Sequence, residues 1–181
     1  MNAFVIGIMT LMSVGVVLAD SSPAPMLRVG DDAPDFSLPY ATRDSVADDV
    51  LKLSAIVGKS NIVLAFYPAD WSGGCTKEVC ALRDNFAAFG ALNAEVVALS
   101  GDYEYSHHEW AKFHNLPFRL ASDHNHAVAK SYGSYNEVSG RDRRTVFVVD
   151  KAGKIAYMDL AYSPRDSVSF DKLQGALKAI K

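Results

Sequence analysis

The 181-residue chain is short of several things, and each shortage excludes a class of function. Its 18 Lys and Arg against 21 Asp and Glu leave a net charge of −3. No basic cluster stands out, so nucleic acid has no electrostatic foothold and no nucleic-acid partner is predicted. There is no internal repeat or low-complexity tract, which argues against a solenoid or a disordered tail. Five histidines (His107, His108, His114, His124 and His126) form no H-E-x-x-H or other close ligand set, so no metal and no bound cofactor are expected. Cysteine is scarce: only Cys75 and Cys80, five residues apart, with no C-x-x-C pair. That spacing speaks against an exported thioredoxin-like thiol–disulfide oxidoreductase, the alternative enzyme class to keep in view.

Positive charge is also missing from the beginning of the chain. Ala3 to Ala19 carries no charged side chain and is followed by a polar stretch, Asp20 to Pro25, that contains two prolines. Small residues at Val17-Leu18-Ala19 suit cleavage after Ala19, so residues 1–19 read as a signal peptide. A membrane anchor is the competing reading, since the run is just long enough to span with strain. Residues 20–27 read as a linker and 28–181 as one domain, exported to a periplasmic or secreted location where disulfides persist.

What is present alternates. NIVLAFYP reads as a buried strand ended by Pro68, AEVVALS as a second, PFRLASD as an extended piece, and RTVFVVD and KIAYMDL as a closing hairpin turned at KAGK. Apolar residues at Val79, Leu82, Phe86 and Phe89 predict one helix from about Cys75 to Phe89. EYSHHEWAKFHN and HAVAKSYGS predict two further helices, and SFDKLQGALKAI a last amphipathic one. Alternating strands and helices with a terminal hairpin predict an α/β domain, a mixed central sheet flanked by helices.

Cys75 falls at or just before a helix N-terminus, where unpaired amides and the helix dipole favour an anion, here a nucleophilic thiolate. Position alone leaves a reactive thiol and a buried structural one both open. The neighbours add more. Pro68, Ser72 and Cys75 form P-x-x-x-S-x-x-C, followed by Glu78. Asp102, Ser106, His107 and Trp110 form D-x-x-x-S-H-x-x-W, and Arg144, Phe147, Asp150 and Gly153 form R-x-x-F-V-V-D-x-x-G.

In order and spacing these blocks resemble the peroxiredoxins, from about Val29 to Leu160, and the C-x4-C spacing resembles the subgroup with a resolving cysteine in the same helix. The resemblance implies a thioredoxin-like fold and a thiol peroxidase acting on a hydroperoxide. Cys75 would be the peroxidatic thiol, oxidised to a sulfenic acid. Ser72 and the Cys75 amide would orient the peroxide and Arg144 would hold thiolate and peroxide. Pro68 would shield the sulfur, Glu78 would hold an arginine, and His107 and Trp110 would support the fold. Ser72 stands where many members carry threonine, which keeps the hydroxyl. Cys80 would resolve the sulfenic acid as an intramolecular disulfide; otherwise it is a small hydrophobe and an external thiol resolves Cys75. A thioredoxin-like or other thiol reductant is the implied electron donor, and a homodimer or a monomer the implied state. Trp71 reads as packing or as the lining of a pocket mouth.

Overall fold

The computed structural model describes residues 26–180, so the predicted leader and most of the linker lie outside the described residues. The chain forms β1 (Ser37–Ala41), β2 (Val46–Lys52), α1 (Leu53–Ile56), β3 (Asn61–Phe66), α2 (Gly73–Asp84), α3 (Phe86–Ala91), β4 (Ala94–Ser100) and α4 (Glu104–His114). It continues through β5 (Arg119–Ser122), α5 (Ala127–Ser131), β6 (Tyr135–Asn136), β7 (Arg141–Asp142), β8 (Thr145–Val149), β9 (Ile155–Asp159) and α6 (Ser167–Ala179). Among the described residues no helix is long and apolar enough to cross a membrane.

Seven strands make one sheet in the order β2-β1-β5-β4-β3-β8-β9. The centre, β3-β4-β5, is parallel, and β8 runs antiparallel to β3. The sheet is therefore mixed, as the sequence pattern predicts. All six residues of β3 are buried, as befits a central strand covered on both sides. Successive side chains point to opposite faces. Val63, Ala65 and Tyr67 join the layer made with α2, α4 and α6, whereas Ile62, Leu64 and Phe66 join the layer that holds Leu53, Ile56, Val128 and Tyr132.

The predicted helix over Cys75–Phe89 is interrupted. At Asn85 the backbone leaves the helix (φ −107°, ψ 9°) and its Nδ2 donates to the Ala81 carbonyl at 2.9 Å. An asparagine that bonds its own backbone competes with the helix ladder, so the apolar period continues while the helix does not. The polar strand β2 and the short β6–β7 hairpin escape the sequence pattern, because β2 is half exposed and lacks an apolar run.

The topology explains where a site can form. β3 ends at Phe66, and its antiparallel partner β8 starts opposite, with Thr145 paired to Phe66. The residue before Thr145 is thereby brought to the carboxyl end of β3, beside the loop that leads into α2. This is the kind of position, outside the carboxyl ends of parallel strands, where α/β sheets form clefts.

Gly101, directly after β4, is fixed by a neighbour. A Cβ there would lie 2.2 Å from Cε1 of His126, a ring held by Asp142 at 2.7 Å and packed near Tyr135. Gly101→Ala is expected to destabilise the protein by about 1–3 kcal/mol through overpacking, read as a fall in the urea midpoint with unchanged slope.

Candidate active site

The loop from Tyr67 to Ser72 is held by one buried carboxylate. Asp70 Oδ1 accepts from the Tyr67 hydroxyl at 2.8 Å. Its Oδ2 accepts from Ser106 Oγ at 2.7 Å and from Nδ1 of His107 at 2.9 Å, with both ring and carboxylate out of solvent. The Asp70 amide donates to Asp102 Oδ2 at 2.6 Å. The D-x-x-x-S-H-x-x-W segment is thus the receptor for the loop, delivered by the start of α4. Trp110 sits beneath, fully buried against Tyr67 with ring centroids 5.3 Å apart. It is a packing residue in the same core cluster as Tyr67 and Cys75. Asp70 carries no motif of its own in the sequence. Its position two residues after Pro68, within reach of a helix carrying Ser106 and His107, becomes informative only once the fold pairs them.

Trp71 adopts a left-handed backbone (φ 59°), uncommon for a large side chain. Its ring is 53% exposed, and Nε1 donates to Ser106 Oγ at 3.3 Å. It stands beside Phe113 at the surface, centroids 5.8 Å apart. The turn at Trp71 brings Ser72 to the N-cap of α2, where its Oγ accepts from the Cys75 amide at 3.4 Å. Among the described residues Ser72 bonds the amide of Cys75 rather than its sulfur, so that amide is engaged in capping the helix. Capping explains the preference for a hydroxyl residue here.

Cys75 is the third residue of α2, buried, with no acidic side chain in the first turn to repel a thiolate. Arg144 Nη2 donates to its Sγ at 3.6 Å. The other arm of the same guanidinium, Nη1, pairs with Glu78 Oε2 in a short ion pair. The two halves of the expected pattern, 69 positions apart, therefore meet. Gly74 is what lets them: a Cβ there would lie 3.0 Å from Arg144 Nη2. Pro68, half-buried, lies in the same loop, between Tyr67 and Asp70. Beside Arg144 an open pocket of about 250 Å³ is lined by Gly74, Tyr162, Ser163, Pro164 and Arg165.

Burial pushes the Glu78 carboxyl up to about 7, against the pull of Arg144. Its Oε1 is buried without a hydrogen-bond partner, which fits the same tendency. Burial opposes the charge on Arg144 as well, but Glu78 and the Cys75 sulfur outweigh it and the guanidinium is held above its ordinary value. The charge that faces Cys75 is permanent, while its support is titratable near neutrality.

Cys80 lies farther along α2, half-buried, with its Sγ 4.0 Å from Nδ1 of His114. Both cysteines are free thiols in an intact helix. Five residues of α-helix separate their Cα atoms by roughly 8 Å, beyond the span of a disulfide. Among the described residues no group of three or more His, Cys, Asp or Glu is arranged to hold a metal ion.

Comparison with known proteins places this geometry. The pattern of the AhpC/TSA family matches residues 29–158. The chain is 40% identical over 130 residues to peroxiredoxin Q, chloroplastic, of Oryza sativa subsp. japonica, covering 71% of this chain and 57% of that protein. The chain thus spans less than two thirds of the length of that relative. It is 35% identical over 136 residues to peroxiredoxin Bcp of Bacillus subtilis, covering 71% of this chain and 82% of that one. The crystal structure of peroxidoxin BcpB from Mycobacterium tuberculosis superposes with a TM-score of 0.73 at 29% identity, over 86% of this chain and 99% of that chain. A reduced 2-Cys peroxiredoxin of Plasmodium vivax gives 0.74 at 25% identity, over 83% and 80%. The fold is thioredoxin-like.

Two measurements follow. Asp70→Ala leaves two buried donors, Tyr67 and His107, and the half-buried Ser106 without their acceptor and is expected to cost about 3–5 kcal/mol in denaturant unfolding; a loss below about 1 kcal/mol would show that the loop is held elsewhere. For Glu78 the sign runs one way. Its carboxyl holds a proton up to about 7 when folded and releases it near 4.5 when unfolded. Folding therefore takes up a proton between those values. The stabilisation is full below 4.5 and lost as pH rises through about 7. Relative to Glu78→Gln, whose amide does not titrate, the native protein is expected to gain on the order of 3 kcal/mol on going from pH 8 to pH 4.5. Parallel stability curves would contradict this.

Proposed function

The chain belongs to the AhpC/TSA family, the peroxiredoxins, and on that premise we propose that it is a thiol-dependent peroxidase acting through Cys75. The observation that carries the reading is the Cys75 sulfur in the first turn of α2 with the Arg144 guanidinium 3.6 Å away and Glu78 behind it. The dipole of α2 and the guanidinium favour the thiolate. Attack on a hydroperoxide forms the S–O bond and breaks the O–O bond. The leaving oxygen takes the proton and departs as water or an alcohol, and Cys75 becomes a sulfenic acid. Arg144, with donors to spare beyond Glu78 and the sulfur, steadies the charge that develops on the peroxide oxygens. Ser72 contributes by capping the helix that carries Cys75, and Pro68 by closing the loop above it.

In this reading Cys80 resolves the sulfenic acid. Its thiolate attacks the Cys75 sulfur, the S–S bond forms, the S–O bond breaks and hydroxide leaves to become water. Because both residues belong to α2, its first turn must unwind. Gly73 and Gly74 make that turn weak, since glycine is a poor helix residue. A thioredoxin-like or other thiol reductant then returns the disulfide to two thiols by exchange. No bound cofactor takes part. In the same reading residues 1–19 serve as an export leader, whereas the rice relative is named as chloroplastic.

Intact mass after one equivalent of hydrogen peroxide tests both steps. A loss of two mass units with a peptide linking Cys75 to Cys80 is the expected result. One added oxygen on Cys75 with Cys80 free would make this a one-cysteine enzyme. An unchanged Cys75 would overturn the peroxidase reading. Arg144→Lys is expected to slow Cys75 oxidation roughly 10²-fold or more, the usual cost of removing one charge-stabilising donor, measured under pseudo-first-order peroxide.

A further inference from the structure

Cys80 is not alone on its side of α2. His114, the last residue of α4, turns its Nδ1 toward the Cys80 sulfur at 4.0 Å. Three rings surround the imidazole: Trp110 at 5.9 Å and Phe113 at 4.9 Å, both edge-on, and Trp71 tilted at 6.3 Å. Its backbone is clamped as well, because Arg83 Nη1 donates to the His114 carbonyl at 2.7 Å. Arg83 is one turn after Cys80, so α2 and α4 are joined at the level of this thiol. We propose that His114 is the general base that takes the proton from Cys80 as its sulfur attacks the Cys75 sulfenic acid, a step that rests on the resolving role read for Cys80 above.

The atoms balance without another reactant. Nδ1 accepts the thiol proton while the Cys80 sulfur forms the S–S bond. The S–O bond of the sulfenic acid breaks, and the departing hydroxide takes one proton, which leaves water and a neutral imidazole. Cys75 is oxidised by the peroxide beforehand, and Cys80 supplies the two electrons of the new bond. With Nδ1 as acceptor, the ring hydrogen sits on Nε2.

The surrounding charges favour a base rather than an acid. From α2, Arg83 faces the imidazole, with Asp84 paired to it at 2.8 Å. From the segment between β1 and β2, Arg43 Nη1 bonds Asn115, the next residue after His114. On its own helix Lys112 precedes it in the last turn. Burial, and after it the Arg83 cation, hold His114 below its ordinary value, so the imidazole is neutral at pH 7. The geometry also says which thiol travels. The distal part of α2 is tied to α4 through Arg83, and its proximal turn begins with two glycines. Cys75 swings toward a Cys80 that stays beside its base.

Rapid-quench mass spectrometry of the full chain with hydrogen peroxide separates two phases, oxygen gain at Cys75 and loss of water on disulfide formation. His114→Asn is expected to leave the first, peroxide-dependent phase unchanged. It should slow the second, peroxide-independent phase roughly 10²-fold at pH 7. The pH profile of the second phase separates a base from a prop. In the native protein it falls on the acid side as the His114 imidazole takes up a proton; in His114→Asn that inflection is absent. A second phase of unchanged rate, or one slowed with the same pH profile, overturns the assignment to His114 and leaves the peroxidase reading intact. Absence of any second phase in the native protein overturns the resolving role of Cys80 and this inference with it.

Discussion

The site depends first on a carboxylate that never touches the reacting sulfur. Asp70 collects three donors from three residues, and its own amide is held by a second carboxylate, Asp102. A carboxylate out of solvent is costly unless every lone pair is answered, and here the answers come from the loop itself and from α4. That requirement gives the loop one conformation. It forces Trp71 into a left-handed turn, which brings Ser72 to the cap of α2 and starts the helix at a fixed register. Cys75 is where it is because the buried charge two residues after Pro68 has only one way to be satisfied.

Register then decides what Cys75 faces. Arg144 arrives from the other side because β8 is antiparallel to β3 and begins where β3 ends. Its guanidinium is shared between the sulfur and Glu78, and Gly74 leaves the room for that approach. Glu78 gains from burial only when protonated, yet it serves Arg144 only when ionised. Acid thus stabilises the fold while it loosens the support of the arginine. Such a conflict between stability and function is common where a site must hold charge in the interior.

Much of this was legible from the chain alone. The central strands, the closing hairpin and the last helix follow from hydrophobic period, and Pro68, Ser72, Cys75, Glu78 and Arg144 follow from motif spacing. What escaped was what depends on side chains answering one another across the fold. Asn85 ends α2 by bonding backward to Ala81, a local competition invisible to an apolar period that runs on to Phe89. The hydroxyl of Ser72 read as one that orients the peroxide; in the fold it also caps α2 through the Cys75 amide, since a residue directly before a helix has the helix amides nearest to hand. Asp70 and His114 carried no pattern of their own. Their partners sit 36 or 37 residues away in one case and 34 in the other, brought together only by the packing of α4.

The two thiols end in environments that differ in the way their tasks differ. Cys75 faces a permanent cation, the Arg144 guanidinium, at 3.6 Å. Cys80 faces an imidazole with the Arg83 cation beyond it, the arrangement on which the proposed proton transfer to His114 rests. Each thiol has its own arginine, Arg144 in contact and Arg83 at one remove, and the difference in reach separates a nucleophile that must always be ready from one that must wait. Helix α2 keeps them apart until the first has reacted, because its length between the two residues exceeds what a disulfide can span. In the proposed cycle one helix holds every part: Arg144 facing its capped beginning, His114 at its clamped far side, and two glycines at its first turn.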